Sequence, residues 1–584
     1  MTPNVNIYYD IAKRAIESVF ESEYHNTLGI PMPQIKILMP DDADYITGQY
    51  YIMIDDTWQI HLNFGKLPVS FKEFEDEVKV LTRHEVEHYM CCPFDVITHL
   101  RMLKCIMEVY KNEFDHLGID IRRICGSISN QAADIIVDTK NYFRNPHDTV
   151  ISEVNWIKKG ADIKNCPHHC KLMFLTKEAL WGTSLEINET DQDLLDIVHK
   201  LAETFKVDGI ENRALFLNKT KEYARTFFRL YLKDKLYPQN DEQQSGQSQN
   251  SQPQQGNQSQ QSGQPQHSQS QQSGQSQYEG DVMTSAKPKD GDKNGSAFAF
   301  ANPDKIKEAI TALAEETDVQ EFSDILSAAG IKFLTESEKY MLWFSVQGAD
   351  VIPIEEYTNS GNKEKYTYPS IWKVGDPIGS LDIMLSFMTS PKILPGITTK
   401  KWDLATRDTD GSDKRQRDLL LIVDTSGSMG SAIDKGSNMH QAIKAAYGII
   451  TYFEQNAGKI ALLGFNDKIT TEIDWTNDYN LIREALLTNG GGGTLFPIKK
   501  IESILDQRNS DMVTVLITDG EISNIAEAVK YFRDYIFDGN KLYIFILGKS
   551  RTRLNYDPLK EIGAQVYSAS TANEFCNFVL SDLI

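Results

Sequence analysis

Residues 418–429 read DLLLIVDTSGSM, an apolar run of strand length that ends in alternating oxygen-bearing side chains. Further along the chain, the strand patterns KIALLGF, MVTVLITD and KLYIFILG alternate with helical patterns such as NMHQAIKAAYGIITYFEQ and NIAEAVKYFRDYIF. Strands that alternate with helices predict a parallel, doubly wound, Rossmann-like sheet. We therefore expect an α/β domain over residues 416–584.

Five oxygen donors are expected at one edge of this sheet. Three of them follow the first strand, a fourth lies on the glycine-rich GGGGTLFP loop, and the fifth ends the strand pattern of ITDGE. In chain order they are Asp424, Ser426, Ser428, Thr494 and Asp519. Ligands of such sheets bind at the carboxyl ends of the strands, so these side chains are expected to converge. Hydroxyls, carboxylates and waters suit Mg²⁺ and leave a position for an incoming carboxylate.

The C-terminal region resembles the von Willebrand factor A (VWA) domain, and its five oxygen donors match the metal-ion-dependent adhesion site (MIDAS) of that family. The resemblance implies that the five residues hold Mg²⁺ directly or through water. It also implies that an Asp or Glu of a protein partner completes the coordination. The alternative interpretation is a Rossmann-like domain with a polar loop that binds nothing.

A second motif lies near the other end of the chain, where residues 84–88 read HEVEH. A capping box that begins at Ser70 places this motif on a helix, after the strand patterns PQIKILMP, YYIMID and WQIHLNF. His84 and His88 are four residues apart, so both imidazoles project from one helix face and can bind one ion. The pattern predicts zinc, with Glu85 as the base that takes a proton from an activated water and passes it to a leaving amine.

The third zinc ligand is predicted on the helical segment SISNQAADIIVDTKNYF, where Asn130, Asp134 and Asp138 recur every four residues. One carboxylate would bind zinc and the other would accept the free N–H of a ligating histidine, with Asp134 preferred as the ligand. Alternatively, the two carboxylates are ordinary exposed helix residues, and the two histidines are merely surface or core residues. The substitutes for the third ligand are Glu108, Glu113 and His116.

Residues 35–145 resemble the zincin metallopeptidases, and specifically the metallopeptidase domain that precedes VWA domains in bacterial proteins. The resemblance rests on WQIHLNF, RHEVEH and NQAAD. Glu87 departs from the family pattern, because the inner HExxH positions are usually uncharged in zincins, and the departure bears on proteolysis more than on metal binding. Proteins of this combined type resemble the partners of MoxR-family AAA+ ATPases. The chain has no GxxxxGK[ST] phosphate loop, so ATP chemistry would come from such a partner.

A chain of 584 residues is too long for a single hydrophobic core. Residues 238–280 are rich in Gln, Ser and Gly with almost nothing apolar, which predicts a disordered tether. It would follow a zincin-like α+β domain with a helical extension over residues 1–237. Residues 281–415 are expected to form a connector of unassigned role, with helical patterns at DKIKEAITALAEE and TESEKYMLWFS.

The net charge and the cysteines indicate which partners and which cellular compartment to expect. A formal net charge of −22 argues against nucleic-acid or anionic-membrane binding. Seven cysteines without a disulfide-like framework, together with charges in the N-terminal segment, predict reducing cytoplasm. No apolar run is long enough to insert into a membrane.

Two cysteine-containing segments are weaker candidates for a site. Residues 166–170 read CPHHC and could bind a second zinc only with help from another segment, so a loop with reduced thiols is favoured. Cys91 and Cys92 follow the HEVEH helix and are expected to pack at its end.

Two functions of different class remain open. In the first, the N-terminal domain is a zinc endopeptidase or amidase whose targets are delivered by the VWA module and remodelled by an ATPase. In the second, zinc is structural or residual, and the protein is a non-enzymatic adaptor or cochaperone for metal insertion or complex assembly. Replacement of Glu85 by Gln separates them, because only the first function needs the base.

Overall fold

The structure of this chain is a computed structural model. The described residues are 5–25, 32, 34–38, 50–54, 59–64, 70–159, 163, 166–236, 303–331, 334–349, 366–371, 381–382, 400–404, 418–455, 458–487, 490–506, 512–520, 522–547 and 556–569. The chain divides into two compact units, Met1–Trp343 and Phe344–Ile584. The predicted tether at 238–280 lies outside the described residues.

The first unit is mainly helical. Its described helices are α1 (Val5–Val19), α2 (Phe71–Met90), α3 (Val96–Val109), α4 (Ile121–Arg144), α5 (Pro146–Lys159), α6 (His168–Trp181), α7 (Gln192–Lys206), α8 (Phe216–Leu236), α9 (Pro303–Glu316), α10 (Val319–Ala328) and α11 (Glu336–Ala349), the last of which continues past the boundary of the unit. Short π-helical segments follow α1 and α3. None of the described helices is both long enough and apolar enough to cross a bilayer.

A three-stranded sheet lies between α1 and α2 in the chain. Its strands are β1 (Gln34–Leu38), β2 (Tyr50–Ile54) and β3 (Gln59–Phe64). The strand order is β1-β3-β2, with β1 parallel and β2 antiparallel to β3. The three strands predicted ahead of the HEVEH motif are therefore present.

Helix α2 begins and is oriented as its sequence predicts. Ser70 is the N-cap, and its hydroxyl accepts a hydrogen bond from the backbone N–H of Glu73. Phe74, Val78 and Val86 are buried in a cluster with the apolar residues of α1. Because these residues face α1, the helix presents a different face, with the two histidines, toward α4.

Helix α4 is the long central helix of the first unit and packs against α2, α3, α5, α6, α8 and α10. Helices α9 and α10 come from the region to which the sequence assigned no role, and they pack against α3 and α4. Arg101 forms an ion pair with Glu316, and the Lys104 ammonium donates to the Glu316 carbonyl over 2.7 Å. Residues 303–328 therefore extend the first unit beyond the predicted boundary at residue 237.

The second unit contains two sheets. A small antiparallel sheet, of strand order β4-β6-β5, comprises β4 (Tyr366–Ile371), β5 (Leu381–Asp382) and β6 (Lys400–Leu404). It falls in the predicted connector, for which no strands were predicted. The larger sheet comprises β7 (Asp418–Asp424), β8 (Ile460–Phe465), β9 (Ile469–Thr476), β10 (Met512–Thr518), β11 (Lys541–Leu547) and β12 (Gln565–Ala569).

The larger sheet has the order β12-β11-β10-β7-β8-β9 and is parallel except for β9 at one edge. Its helices are α12 (Asn438–Gln455), α13 (Tyr479–Leu486), α14 (Ile498–Leu505), α15 (Ile525–Phe537) and α16 (Asp557–Glu561). Strands β8 and β10 are buried at every position, as expected for parallel strands covered on both faces. The predicted parallel α/β sheet is confirmed, whereas the antiparallel edge strand was not predicted. Strand β8 lies on one side of β7 and β10 lies on the other, so the strand order reverses at β7. A crevice is therefore expected at the carboxyl ends of β7 and β10.

Candidate metal centres

The first candidate centre is formed by α2 and α4. His84 Nε2 lies 3.0 Å from His88 Nε2 and 3.7 Å from Asp134 Oδ1, and His88 Nε2 lies 3.2 Å from the same oxygen. Tetrahedral zinc with ligands at about 2.0–2.2 Å places neighbouring ligand atoms about 3.3–3.6 Å apart. Among the described residues, these three side chains form the group whose ligand atoms are close enough together to hold one ion.

The second nitrogen of each histidine has its own acceptor. His84 Nδ1 lies 2.6 Å from Asp138 Oδ1, and His88 Nδ1 lies 2.7 Å from the backbone carbonyl oxygen of Cys92. A carbonyl oxygen only accepts hydrogen bonds, so His88 Nδ1 carries the hydrogen, and the Asp138 carboxylate imposes the same tautomer on His84. When both rings are neutral, each therefore directs the lone pair of its Nε2 toward the shared point.

Asp134 completes the set of converging acceptors. Its Oδ2 accepts a hydrogen bond from the Asn130 side chain over 2.9 Å, whereas its buried Oδ1 has no hydrogen-bond partner. When both rings are neutral, two imidazole lone pairs and one carboxylate oxygen face one another, an arrangement that repels itself unless a proton or a metal cation lies between them. Burial lowers the pKa of His84, but the neighbouring Asp138 carboxylate outweighs burial and raises that pKa to about 10. The site therefore favours positive charge, and its donor set fits zinc.

A buried lysine stands behind this centre. Lys177 Nζ on α6 lies 2.6 Å from Asp138 Oδ2 and 3.1 Å from Glu153 Oε1. Burial alone would raise the pKa of Asp138, but Lys177 and His84 hold it well below its usual range. Lys177 and Glu153 were not predicted as site residues, because both occupy ordinary positions in helical patterns with no motif around them.

Glu85 lies half-buried beside the first histidine on α2. Burial raises the pKa of its carboxyl group, while the neighbouring His84 and His88 oppose the rise. A carboxylate whose pKa lies above its usual range is a stronger base. Its position and its electrostatics are both compatible with proton transfer at this centre.

Glu87, the unusual charge within the HEVEH motif, is completely buried and turned to a different set of partners. Lys140 Nζ lies 2.9 Å from its Oε2, and Arg144 pairs with its Oε1. These two cations are one turn apart on α4, the helix that also carries Asp134. The departure from the zincin pattern therefore has a local explanation, in which Glu87 joins α2 to α4 outside the metal-ligand group.

Replacement of Glu87 by Ala is expected to destabilise the protein by about 2–3 kcal/mol, because it leaves Lys140 only its exposed partner Glu211 and breaks the link between α2 and α4. Arg144 is more exposed, so the loss of its pair with Glu87 adds little to this cost. Thermal unfolding followed by circular dichroism should show a fall in Tm of about 4–10 °C. Glu75→Ala is the control, since Glu75 pairs with Lys79 on the same helix and its side chain is 45% exposed. An equal fall in Tm for both variants would contradict a special role for the buried pair.

The three alternative third ligands do not belong to the metal-ligand group. Glu108 pairs with Lys221 at 2.9 Å, Glu113 pairs with Arg225 at 2.7 Å, and His116 is exposed. The structure therefore brings Asp134, and not one of these residues, to the two histidines.

The CPHHC segment is anchored by a carboxylate from another helix. His168 Nδ1 and His169 Nδ1 lie 2.5 and 2.7 Å from the two oxygens of Asp234 on α8, and Cys166 and Cys170 are buried. Within the described part of the chain, no second group of three ligand atoms gathers here. Cys91 is the C-cap of α2 and is buried, as is Cys92, in agreement with the predicted packing at the helix end.

The second candidate centre lies at the carboxyl ends of β7 and β10. Asp424 Oδ1 accepts the backbone N–H of Ser426 over 2.8 Å, and Asp424 Oδ2 accepts the Thr518 hydroxyl over 2.6 Å. The hydroxyl oxygens of Ser426 and Ser428 are 3.1 Å apart. Thr518, at the end of β10, was not predicted, and it orients Asp424 from the neighbouring strand.

The glycine-rich loop that carries Thr494 packs directly on this turn. The N–H of Gly427 donates to the carbonyl of Gly492 over 3.2 Å. A Cβ atom at Gly490 would lie 1.9 Å from the carbonyl oxygen of Thr425, so only glycine allows this approach. On its other side, the Thr494 carbonyl accepts the backbone N–H of Ser523 over 3.1 Å. The loop therefore lies between the segments that follow β7 and β10.

Asp519 contributes an unsatisfied oxygen to the second centre. The residue is 8% exposed, and its buried Oδ1 has no hydrogen-bond partner. Burial raises the pKa of Asp424, the Thr518 and Ser426 hydrogen bonds oppose this rise, and the charge of Asp519 adds to it. Two close carboxylates with an unsatisfied oxygen and adjacent hydroxyls form a donor set that fits Mg²⁺.

Residues 419–521 match the family model of the von Willebrand factor type A domain. The VWFA domain-containing protein ORF892 of Acidianus two-tailed virus is 25% identical over 183 residues, which are 30% of this chain and 20% of the viral protein. This chain thus matches about a fifth of the length of that relative. The C-terminal region contains a VWA domain, a module that mediates protein–protein interactions.

Similar chains among the solved structures include the conserved hypothetical protein BatB from Bacteroides thetaiotaomicron. It is 16% identical with a TM-score of 0.23, over 29% of this chain and 98% of BatB. The pilus adhesin SpaC from Lactobacillus rhamnosus GG is 13% identical with a TM-score of 0.25, over 29% of this chain and 30% of SpaC.

Proposed function

We propose that this protein is a zinc-dependent hydrolase of peptide or amide bonds, coupled to a Mg²⁺-dependent VWA module that binds a protein partner. The observation that carries the hydrolase proposal is the convergence of His84 Nε2, His88 Nε2 and Asp134 Oδ1, three acceptors within 3.0–3.7 Å of one another. Such a cluster of lone pairs is stable around a cation and costly without one.

Each residue of the first centre has a separate task in this proposal. Two imidazoles and one carboxylate hold the metal, as in catalytic zinc sites that keep one position open. A zinc ion bound there supplies a Lewis acid that activates water near neutral pH. Asp138 and the Cys92 carbonyl hold the histidine rings in the required tautomer. The Glu85 carboxylate accepts a proton and returns it to the leaving amine.

The second centre would deliver the target. We propose that a Mg²⁺ ion is held, directly or through water, by Asp424, Ser426, Ser428, Thr494 and Asp519. An Asp or Glu of the partner would complete its coordination, because Mg²⁺ bound by few carboxylates keeps exchangeable positions. The unsatisfied Oδ1 of Asp519 supports this assignment.

We propose an AAA+ ATPase of the MoxR family as a partner, because the combined arrangement resembles bacterial proteins that work with such ATPases. The present sequence contains no GxxxxGK[ST] phosphate loop. In this proposal the ATPase remodels the target that the VWA module holds.

Replacement of Glu85 by Gln is the test of the hydrolase. The amide cannot take up the proton, so hydrolysis should fall by about 10²–10⁴-fold while zinc remains bound. Cleavage would be measured on a quenched fluorescent peptide library with the full chain, and zinc would be measured in the same samples. Glu75→Gln, on the exposed face of the same helix, is the matched control and should retain activity.

A different pattern would favour the non-enzymatic adaptor. If the wild-type protein contains zinc but does not hydrolyse peptides or amides, the hydrolase proposal is wrong. Equal hydrolysis by the wild type and the Glu85→Gln variant would equally exclude Glu85 as the base.

A further inference from the structure

Lys177 is one of the most deeply buried charged residues of the first unit. Its side chain is 2% exposed, and its ammonium contacts one carboxylate oxygen of Asp138 and one of Glu153. A buried lysine is costly unless its charge is paired. Two carboxylates on different helices, α4 and α5, supply that pairing.

Two successive contacts through the Asp138 carboxylate link Lys177 to the metal-ligand group. Lys177 Nζ donates to Asp138 Oδ2 over 2.6 Å, and the other oxygen of the same carboxylate lies 2.6 Å from His84 Nδ1. An ammonium group can only donate, so it holds one carboxylate oxygen in place and leaves the other for the imidazole N–H. The orientation and tautomer of His84 therefore depend on a lysine that it does not touch.

We infer that Lys177 is a positioning residue of the metal centre, which acts through Asp138 to aim His84 Nε2 at the bound ion. This inference rests on the proposed metal centre and adds to it a residue from a third helix, α6. Residues that orient a ligating histidine change metal affinity by about 10–100-fold when they are replaced.

A second buried lysine on the same helix serves as a control, because it distinguishes a positioning role from the general effect of removing a buried charge. Lys171 is 4% exposed, and its Nζ lies 2.7 Å from Glu189 Oε2. It therefore matches Lys177 in burial and in its close carboxylate partner. Glu189, however, contacts Lys171 and the backbone N–H groups of Thr190 and Asp191, none of which belongs to the metal-ligand group.

Replacement of Lys177 by Met is expected to weaken zinc binding at least about tenfold. Zinc affinity of the full chain would be measured by competition with a chromophoric chelator. Replacement of Lys171 by Met should change the affinity less than about twofold, although it also removes a buried charge. The visible absorption spectrum of the Co²⁺-loaded protein should change in Lys177→Met and not in Lys171→Met, because it reports ligand geometry.

A double-mutant cycle tests whether Lys177 acts through Asp138. In the Asp138→Asn background, Lys177→Met should weaken zinc binding by less than about twofold further, since the link is already altered. If Lys177→Met does not fold, the Lys177→Met, Glu153→Leu variant replaces it. In that variant the Glu153 carboxylate is removed together with its cation, so it is not left buried and unpaired. Its zinc affinity should fall by the same factor of about ten.

The outcomes separate this inference from the proposed function. A wild-type protein that binds no zinc would overturn the metal centre itself. A wild type that binds zinc, with Lys177→Met or its Glu153→Leu companion binding equally well, would overturn only the role of Lys177. Equal losses in Lys177→Met and Lys171→Met, or additive losses in the cycle, would make Lys177 merely structural and overturn the inference.

Discussion

Replacement of both His84 and His88 by alanine is expected to reduce bound zinc from about one ion per chain to less than about 0.1, because it removes two of three protein ligands. The remaining ligand, Asp134, cannot retain the ion alone. Elemental mass spectrometry of the purified full chain would measure this loss directly. The matched control replaces His116 and His147, which are both exposed, and it should keep its zinc.

Two results would contradict the zinc assignment in different ways. Absence of stoichiometric metal in the wild type would exclude the centre altogether. The second result is a wild type that contains iron which the double-histidine variant lacks. That result would support the metal centre but show that its metal is not zinc, since two imidazoles and one carboxylate also suit Fe²⁺. Equal zinc in the wild type and the variant would place the metal elsewhere in the chain.

Replacement of both Asp424 and Asp519 by asparagine is expected to weaken divalent-cation binding at the VWA domain by at least about 100-fold, because both carboxylate charges at the site are lost. Asparagine keeps an oxygen for the Ser426 N–H and can still pair with Thr518, so the turn should keep its shape. Binding of Mn²⁺, in competition with Mg²⁺, would be followed by electron paramagnetic resonance.

The experiment is best made in the His84→Ala, His88→Ala background, so that the first unit does not take up Mn²⁺. Asp474→Asn, an exposed position on the edge strand β9, is the control and should bind like its parent. If the parent shows no Mn²⁺ binding, or if the double-asparagine variant binds equally, the adhesion-site proposal is wrong.

The sequence was most informative where a pattern is local. Apolar runs alternating with helical periods predicted the parallel sheet, because strands buried on both faces need continuous apolar residues. The ends of β7 and β10 were identified in the same way, and with them the positions of Asp424 and Asp519. The four-residue spacing of His84 and His88 determined that both lie on one face of α2.

The choice between Asp134 and Asp138 as the metal ligand shows what a local sequence pattern does not predict. Both recur on one face of α4, and spacing along a helix does not specify how that helix is rotated against its neighbour. The packing of α4 on α2 places Asp134 Oδ1 beside both Nε2 atoms and Asp138 behind His84. Which carboxylate lies beside the two Nε2 atoms, and which lies beside His84 Nδ1, is therefore decided by the tertiary structure.

By itself the sequence determined the secondary structure around both centres, the shared face of the two histidines and the oxygen donors that end the parallel strands. Only the tertiary structure decided the partners of Glu87, the burial of Lys177 behind Asp138 and the packing of α9 and α10 on the first unit. The physical reason is that periodicity is set by the geometry of a single element, whereas charge pairing depends on contacts between elements far apart in the chain.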